Sequence, residues 1–222
     1  MKILCFDLSL TCTGVAFADV DDNGAVNKML TVSIIPDADE ASAIKKLGLL
    51  RKREIKTKSG GGYRAYVTTT DEKPTYAEKK KRDVMVRNTV NMEKRASLAE
   101  QIKRLIDGTD PELILVERNE SFNGILTTKL LAEARGILEG AGVGIEIKQY
   151  SVAEIRKGID LITLTREFVN EVADKGVAFP KDITKSALKR YVEKKYNIVC
   201  NNTDESDACM ILDCYLRNKE EK

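Results

Sequence analysis

Lys2-Ile3-Leu4-Cys5-Phe6-Asp7, then Leu8-Ser9-Leu10-Thr11-Cys12, then Thr13-Gly14-Val15-Ala16-Phe17-Ala18, is the stretch that decides how this 222-residue chain is read. Its first six residues are a short, mostly apolar run ending in a carboxylate, the pattern of a strand. Thr13 to Ala18 makes a second run and leads into the turn-forming Asp21-Asp22-Asn23-Gly24. Met29 to Ile35 reads as a third. The opening is a three-stranded antiparallel meander.

Beyond it the period changes. Val86, Val90, Leu98, Ile102, Leu105 and Ile106 recur on one helical face that begins near Val84 and stops at Asp107-Gly108-Thr109-Asp110-Pro111. Glu112 to Glu117 is a buried-type strand, again ending in a carboxylate. A helix from Phe122 to Ala141, a strand from Val143 to Tyr150 and a short helix from Ser151 to about Lys157 follow. Further helices are predicted over Thr165–Asp174, Asp182–Tyr196 and, with Thr203 as N-cap, to about Arg217. Strands that alternate with helices after a meander give a mixed α/β sheet.

Composition removes whole classes of function. There is no histidine, which excludes Ser-His-Asp triads, Cys-His dyads and His-ligated zinc. Five cysteines without a CxxC pair do not make a disulfide framework, and the expected compartment is reducing and cytoplasmic. No apolar run is long enough to span a bilayer, and the opening residues do not read as a signal peptide. Charge is unevenly spread. Between Lys45 and Arg87, fourteen Lys or Arg face five acids, so this segment carries +9 and the rest of a +2 chain carries −7. One basic segment on an acidic body suggests a polyanionic partner, although a solvated charged loop has the same composition.

Four acids stand where chemistry would use them. Asp7 and Glu117 end strands, and Asp204 and Asp207 lie three apart at the start of the last helix, on one face. Singly, Asp7 is also a turn residue, Glu117 a surface acid and Asp204 a helix-dipole partner. Jointly, gathered carboxylate oxygens suit Mg²⁺ or Mn²⁺, and two such ions can activate a water and stabilise the leaving oxygen of a phosphodiester displacement. Glu205 beside Asp204 reads as a spare donor.

These residues resemble the RuvC type of Holliday-junction resolvase, in the RNase H-like (retroviral integrase) superfamily. The resemblance rests on Phe6-Asp7-Leu8-Ser9 with Thr13-Gly14, on Val116-Glu117, on Ala134-Arg135-Gly136, and on Asp204-Glu205-Ser206-Asp207-Ala208. It covers about 1–35 and 85–217 in the same order. It implies one RNase H-like nuclease domain over residues 1–222, with a mixed five-stranded sheet: a three-stranded antiparallel meander plus two parallel strands, flanked by helices. A basic insertion is expected at about 37–83, as an insertion or a long mobile loop, and a smaller one at about 159–180. Such elaboration resembles viral or phage versions, which would act in the host cytoplasm.

The resemblance further implies Asp7, Glu117, Asp204 and Asp207 as ligands of two Mg²⁺ ions, for which Mn²⁺ would substitute. It places Lys185 among the catalytic residues and Arg156, with Lys157, near the DNA. Its substrate is branched DNA, above all the four-way junction, cut by a homodimer in paired symmetric incisions. Glu120 stands where the family offers an aromatic, with Phe122 two residues on as the candidate stacking group. Lys181, Lys185 and Lys189, at i, i+4 and i+8, could line a phosphate track, and Tyr63, Tyr66 and Tyr76 could stack on bases. An RNA-directed or RNA–DNA hybrid nuclease and a non-catalytic junction-binding protein are the alternatives. An actin-like ATP-binding protein also opens with a strand-borne Asp and a Thr-Gly hairpin, but needs a far longer chain.

Overall fold

A computed structural model describes residues 1–56, 62–69, 74–118 and 125–220. These form two units, Met1–Ile35 with Leu98–Lys222, and Pro36–Ser97. The first is built on a five-stranded sheet. Its strands are β1 (Lys2–Asp7), β2 (Thr13–Val20), β3 (Val26–Ile34), β6 (Leu113–Glu117) and β7 (Glu146–Tyr150), in the order β3-β2-β1-β6-β7. β1 pairs antiparallel with β2 and β2 with β3, whereas β1–β6 and β6–β7 are parallel. This is the expected meander plus two parallel strands.

The central strands β1 and β6 are apolar between Lys2 and the terminal acids Asp7 and Glu117 because helices cover both faces of the sheet. Alternation divides their side chains between two cores. Ile3 and Cys5 face one, with Leu113, Leu115, Leu188, Val192, Met210 and Ile211. Leu4 and Phe6 face the other, with Ile114, Val116, Leu98, Ile102 and Leu138. The first core is closed by α4 (Val152–Arg156), α6 (Ile183–Tyr196) and α7 (Thr203–Glu220), and the second by α3 (Ile125–Ala141) and the end of α2 (Tyr76–Thr109). Cys5, Cys200, Cys209 and Cys214 are buried fillers of the first core.

In the second unit, Pro36–Ser97, the described residues contain α1 (Glu40–Lys46), the antiparallel strands β4 (Leu50–Lys56) and β5 (Gly62–Val67), and most of α2. The expectation of a long mobile loop is therefore corrected. Ala43, Leu49 and Val86 make a small core, backed by Val90 and Tyr66. The apolar face of α2 read from the sequence thus serves two cores, Val86 and Val90 in one unit, Leu98, Ile102 and Ile106 in the other.

Helix α2 also starts earlier than the expected Val84. Thr75 and Glu78 form a reciprocal cap: Thr75 Oγ1 accepts from the Glu78 N–H at 3.3 Å, and the Glu78 carboxylate accepts from the Thr75 N–H at 2.7 Å. Every residue from Glu78 to Asp83 is charged, so no apolar periodicity is visible there and the cap was the only sequence sign of this start. The segment about 159–180 carries α5 (Leu161–Asp174), opened by Asp160 and tied to α6 where Glu171 accepts from Arg190 at 2.9 Å. Among the described residues no helix is long and apolar enough to cross a membrane.

Candidate active site

Strand register brings the first two acids together. Phe6 lies beside Val116 in the parallel β1–β6 pair, so the next residues, Asp7 and Glu117, leave the sheet side by side at its carboxyl edge. Helix α7 brings the other two. Its N-cap is Asn202, not the expected Thr203: Asn202 Oδ1 accepts from the Glu205 N–H at 3.0 Å, and Thr203 is already helical.

Gly14 explains how closely this helix start approaches. It pairs with Asp7 across β1–β2, and a Cβ on it would fall 1.9 Å from the Asp204 carbonyl oxygen. Only a residue without a side chain admits the backbone of Asp204 there. The interior-strand glycine was the sequence signal for this close approach.

Asp7, Glu117, Arg156, Lys185 and Asp207 line a cleft of about 210 Å³, walled by Val152, Ile155, Leu188 and Met210. Lys185 Nζ donates to Asp207 Oδ2 at 2.9 Å. Burial, and then the charges of Asp207, Glu117 and Asp204, push the Asp7 carboxyl up to about 8, against the pull of Lys185. Burial and the Asp207 charge raise Glu117, which Arg156 and Lys185 partly offset. Burial also raises Asp207, although the Lys185 hydrogen bond opposes it. Lys185 itself is raised, chiefly by that hydrogen bond. Carboxylates that raise one another in a partly apolar cleft hold an excess of negative charge. Such a site attracts a cation or a proton.

The other expected residues divide. Arg156 is in the cleft. Lys157 follows it, exposed, as the C-cap of α4. Of the three periodic lysines only Lys185 reaches the acids; Lys189 pairs with Glu193 at 3.9 Å, and Lys181 is exposed ahead of α6. Phe122 and Glu120 lie outside the described residues. Tyr63 donates to the Pro74 carbonyl at 3.2 Å and Tyr66 to Glu40, which leaves Tyr76, 80% exposed, as the free-standing ring of the three. Glu205 is not a spare donor for the cleft. It is fully buried and hydrogen-bonded to Thr31, Ser33 and Asn201. Sequence reading missed Cys12, whose thiol is hydrogen-bonded to Asp204; burial and then this bond raise it to about 11.

The donor chemistry suits a hard divalent cation: the carboxylates of Asp7, Glu117 and Asp207 line the cleft, and the charge of Asp204 adds to theirs on Asp7. Among the described residues, however, no three acidic or cysteine side chains already form a group that could hold a metal ion. The ammonium of Lys185 sits on Asp207 in that arrangement. Asp7, Glu117 and Asp207 thus share one cleft with Asp204 close enough to act on Asp7, and among the described residues they are not closed into a cage.

No protein-family model matches the sequence, and no curated protein gives a significant match. Solved structures do match. Thermus thermophilus RuvC is similar over 100% of this chain and 97% of its own, with 14% identity and a TM-score of 0.51. T. thermophilus RuvC in complex with Holliday junction substrate is similar over 99% of this chain and 96% of its own, with 11% identity and a TM-score of 0.53. With the sheet order and the helices on both faces, these likenesses establish that the chain has the RuvC-like RNase H fold.

Proposed function

We propose that the protein is a metal-dependent, structure-selective DNA endonuclease that resolves four-way or otherwise branched DNA. The observation that carries this reading is the convergence of Glu117, Asp204 and Asp207 on Asp7, a carboxyl that burial first and then these charges push up to about 8, on a RuvC-like fold. The bound-junction form of the similar T. thermophilus protein supports the substrate class. Asp7, Glu117, Asp204 and Asp207 would hold Mg²⁺, or Mn²⁺ in its place, two ions per site. When bound, these ions supply a nucleophilic water and charge stabilisation for the leaving oxygen.

The chain's own groups do the rest. Arg156 and Lys185 set two positive charges in the cleft for the scissile phosphate. Lys185, now hydrogen-bonded to Asp207, would supply its ammonium to the phosphate when that carboxylate serves as a metal ligand. Val152, Ile155, Leu188 and Met210 limit water. The basic unit, Pro36–Ser97, adds sequence-independent affinity for the phosphate backbone. A homodimer, with the exposed small residues Ala132 and Gly136 of α3 in its interface and Ala134 turned into the core beneath, would present two clefts related by the two-fold axis of the junction.

Incubation of a synthetic four-way junction with and without Mg²⁺ tests the reading. Paired nicks that seal with ligase support it, and a junction left uncut with Mg²⁺, and with Mn²⁺ in its place, overturns it. Light scattering and linearisation of a supercoiled cruciform plasmid test the dimer. Monomer on DNA, or nicked circles alone, removes that part. The Lys185–Asp207 pair favours a second reading, a junction-binding protein without cleavage. Tight binding with no nicking selects it.

A further inference from the structure

Helix α7 opens with three acids, Asp204, Glu205 and Asp207, and Glu205 is the most completely satisfied of them. Glu205 is 0% exposed. Its Oε1 accepts from Ser33 Oγ at 2.7 Å and from Asn201 Nδ2 at 3.1 Å. Its Oε2 accepts from the Asn201 N–H at 2.8 Å and from Thr31 Oγ1 at 3.0 Å. Among the described residues no cation pairs with it, so these donors alone make its burial tolerable. Asn202 completes the arrangement: its Oδ1 caps α7 through the Glu205 N–H, and its Nδ2 donates to Ser33 Oγ at 2.6 Å.

The bonds have a geometric consequence for the cleft. Asp7, Gly14 and Ser33 are in register across β1, β2 and β3. The start of α7 lies over this row, with the Asp204 backbone against Gly14 and Glu205 bonded to Ser33. Gly14 sets how near the helix comes. The bonds to Thr31 and Ser33 set where along β3 it stops. A residue that holds this helix start therefore holds Asp204 and, one turn on, Asp207.

We propose that Glu205 is a positioning residue of the carboxylate site, anchoring the start of α7 to β3 so that Asp204 and Asp207 are presented to Asp7 and Glu117 as one divalent-cation ligand set. The inference rests on the nuclease reading for its reaction, but its first readout is metal binding without DNA. Outer residues that orient metal ligands are worth about 10–100-fold in metal affinity.

The test compares full-length wild type with Glu205→Gln, Ser33→Ala and Ile102→Val, the last a methylene deletion in the core on the other face of the sheet. Mn²⁺ affinity is measured by electron paramagnetic resonance without DNA, the metal concentration for half-maximal nicking on a four-way junction, and the melting temperature by calorimetry. In Glu205→Gln the Mn²⁺ dissociation constant should rise about 10-fold or more and the half-maximal metal concentration with it, a larger change than in the maximal rate. Ser33→Ala, a smaller lesion that keeps the carboxylate, should move both in the same direction by about 3–10-fold. Ile102→Val should lower the melting temperature alone. Unchanged Mn²⁺ affinity in Glu205→Gln and Ser33→Ala, with nicking intact, overturns the positioning role and leaves the nuclease standing. Mn²⁺ affinity lost in the variants of a protein that nicks no substrate leaves the positioning role standing and overturns the nuclease.

Discussion

Lys185 Nζ lies 2.9 Å from Asp207 Oδ2, so the carboxylate cleft carries its own cation. The lysine comes from α6 and the aspartate from α7, two helices that meet on one face of the sheet. In metal-free protein this pair offsets part of the repulsion among Asp7, Glu117, Asp204 and Asp207. Lys185→Met should therefore lower the melting temperature in EDTA. Saturating Mn²⁺ should recover most of that loss, because the metal replaces the missing charge. Junction nicking should still fall about 100-fold, the scale of one well-placed electrostatic group. Calorimetry with and without Mn²⁺, beside a single-turnover nicking assay, reads both effects. A melting temperature that does not change in EDTA would show that the pair does not balance the acids.

Asp7→Asn should abolish nicking and leave junction binding largely intact, since phosphate contacts come from other residues. It should also stabilise the metal-free protein at pH 8. Removing a crowded, half-buried charge is expected to raise the melting temperature by roughly 3–6 °C, the shift of about 1.5 kcal/mol in a chain of this size. Electrophoretic binding, nicking and calorimetry on one preparation check all three statements. Nicking at the wild-type rate would remove Asp7 from the site.

The raised Asp7 carboxyl fixes the sign of the pH dependence. An unfolded aspartate titrates near 4, whereas Asp7 in the fold is pushed up to about 8. Between these values the native state binds more protons than the unfolded one, so its stability falls as pH rises from about 4 to about 8. Metal must displace that proton. Mn²⁺ affinity should accordingly climb by up to about tenfold per pH unit below 8, with proton release visible by calorimetry in buffers of different ionisation enthalpy. A flat affinity over pH 6–8 would contradict the shift.

Asp213, fully buried on α7, accepts from Lys195 at 2.7 Å, Tyr196 at 2.7 Å and Arg217 at 3.0 Å. Asp213→Ala leaves the cations of Lys195 and Arg217 and the Tyr196 hydroxyl without their acceptor and should cost about 3–5 kcal/mol. Because Asp213 stands outside the cleft, the metal requirement of the surviving protein should not move. Urea denaturation with a metal titration separates the two outcomes.

Lys80, Lys81 and Arg87 are exposed along α2 in the Pro36–Ser97 unit. Reversing all three to Glu should weaken junction and duplex binding alike. The slope of log affinity against log salt should flatten by about 0.9 for each phosphate that is no longer neutralised. Nicking at raised protein concentration should survive. An unaltered slope would make this face something other than a phosphate track.

The meander and the two later strands were legible in the sequence because short apolar runs between Asp-Asn-Gly and Asp-Pro turns leave few other readings. So were the four acids, each at a strand end or a helix start. Three helix starts were misread for a local reason: Thr75–Glu78, Asp160 and Asn202 cap through side chains that composition does not distinguish from loop residues. What the sequence could not supply was mutual distance. That Lys185 rather than Lys181 or Lys189 meets Asp207 depends on how α6 crosses α7, and Glu205 turns from apparent spare ligand to buried anchor only because β3 brings Thr31 and Ser33 beneath it. Pattern along the chain determines which residues share a face. Packing between elements far apart in sequence decides which of those faces meet, and with them the charge that Asp7 carries.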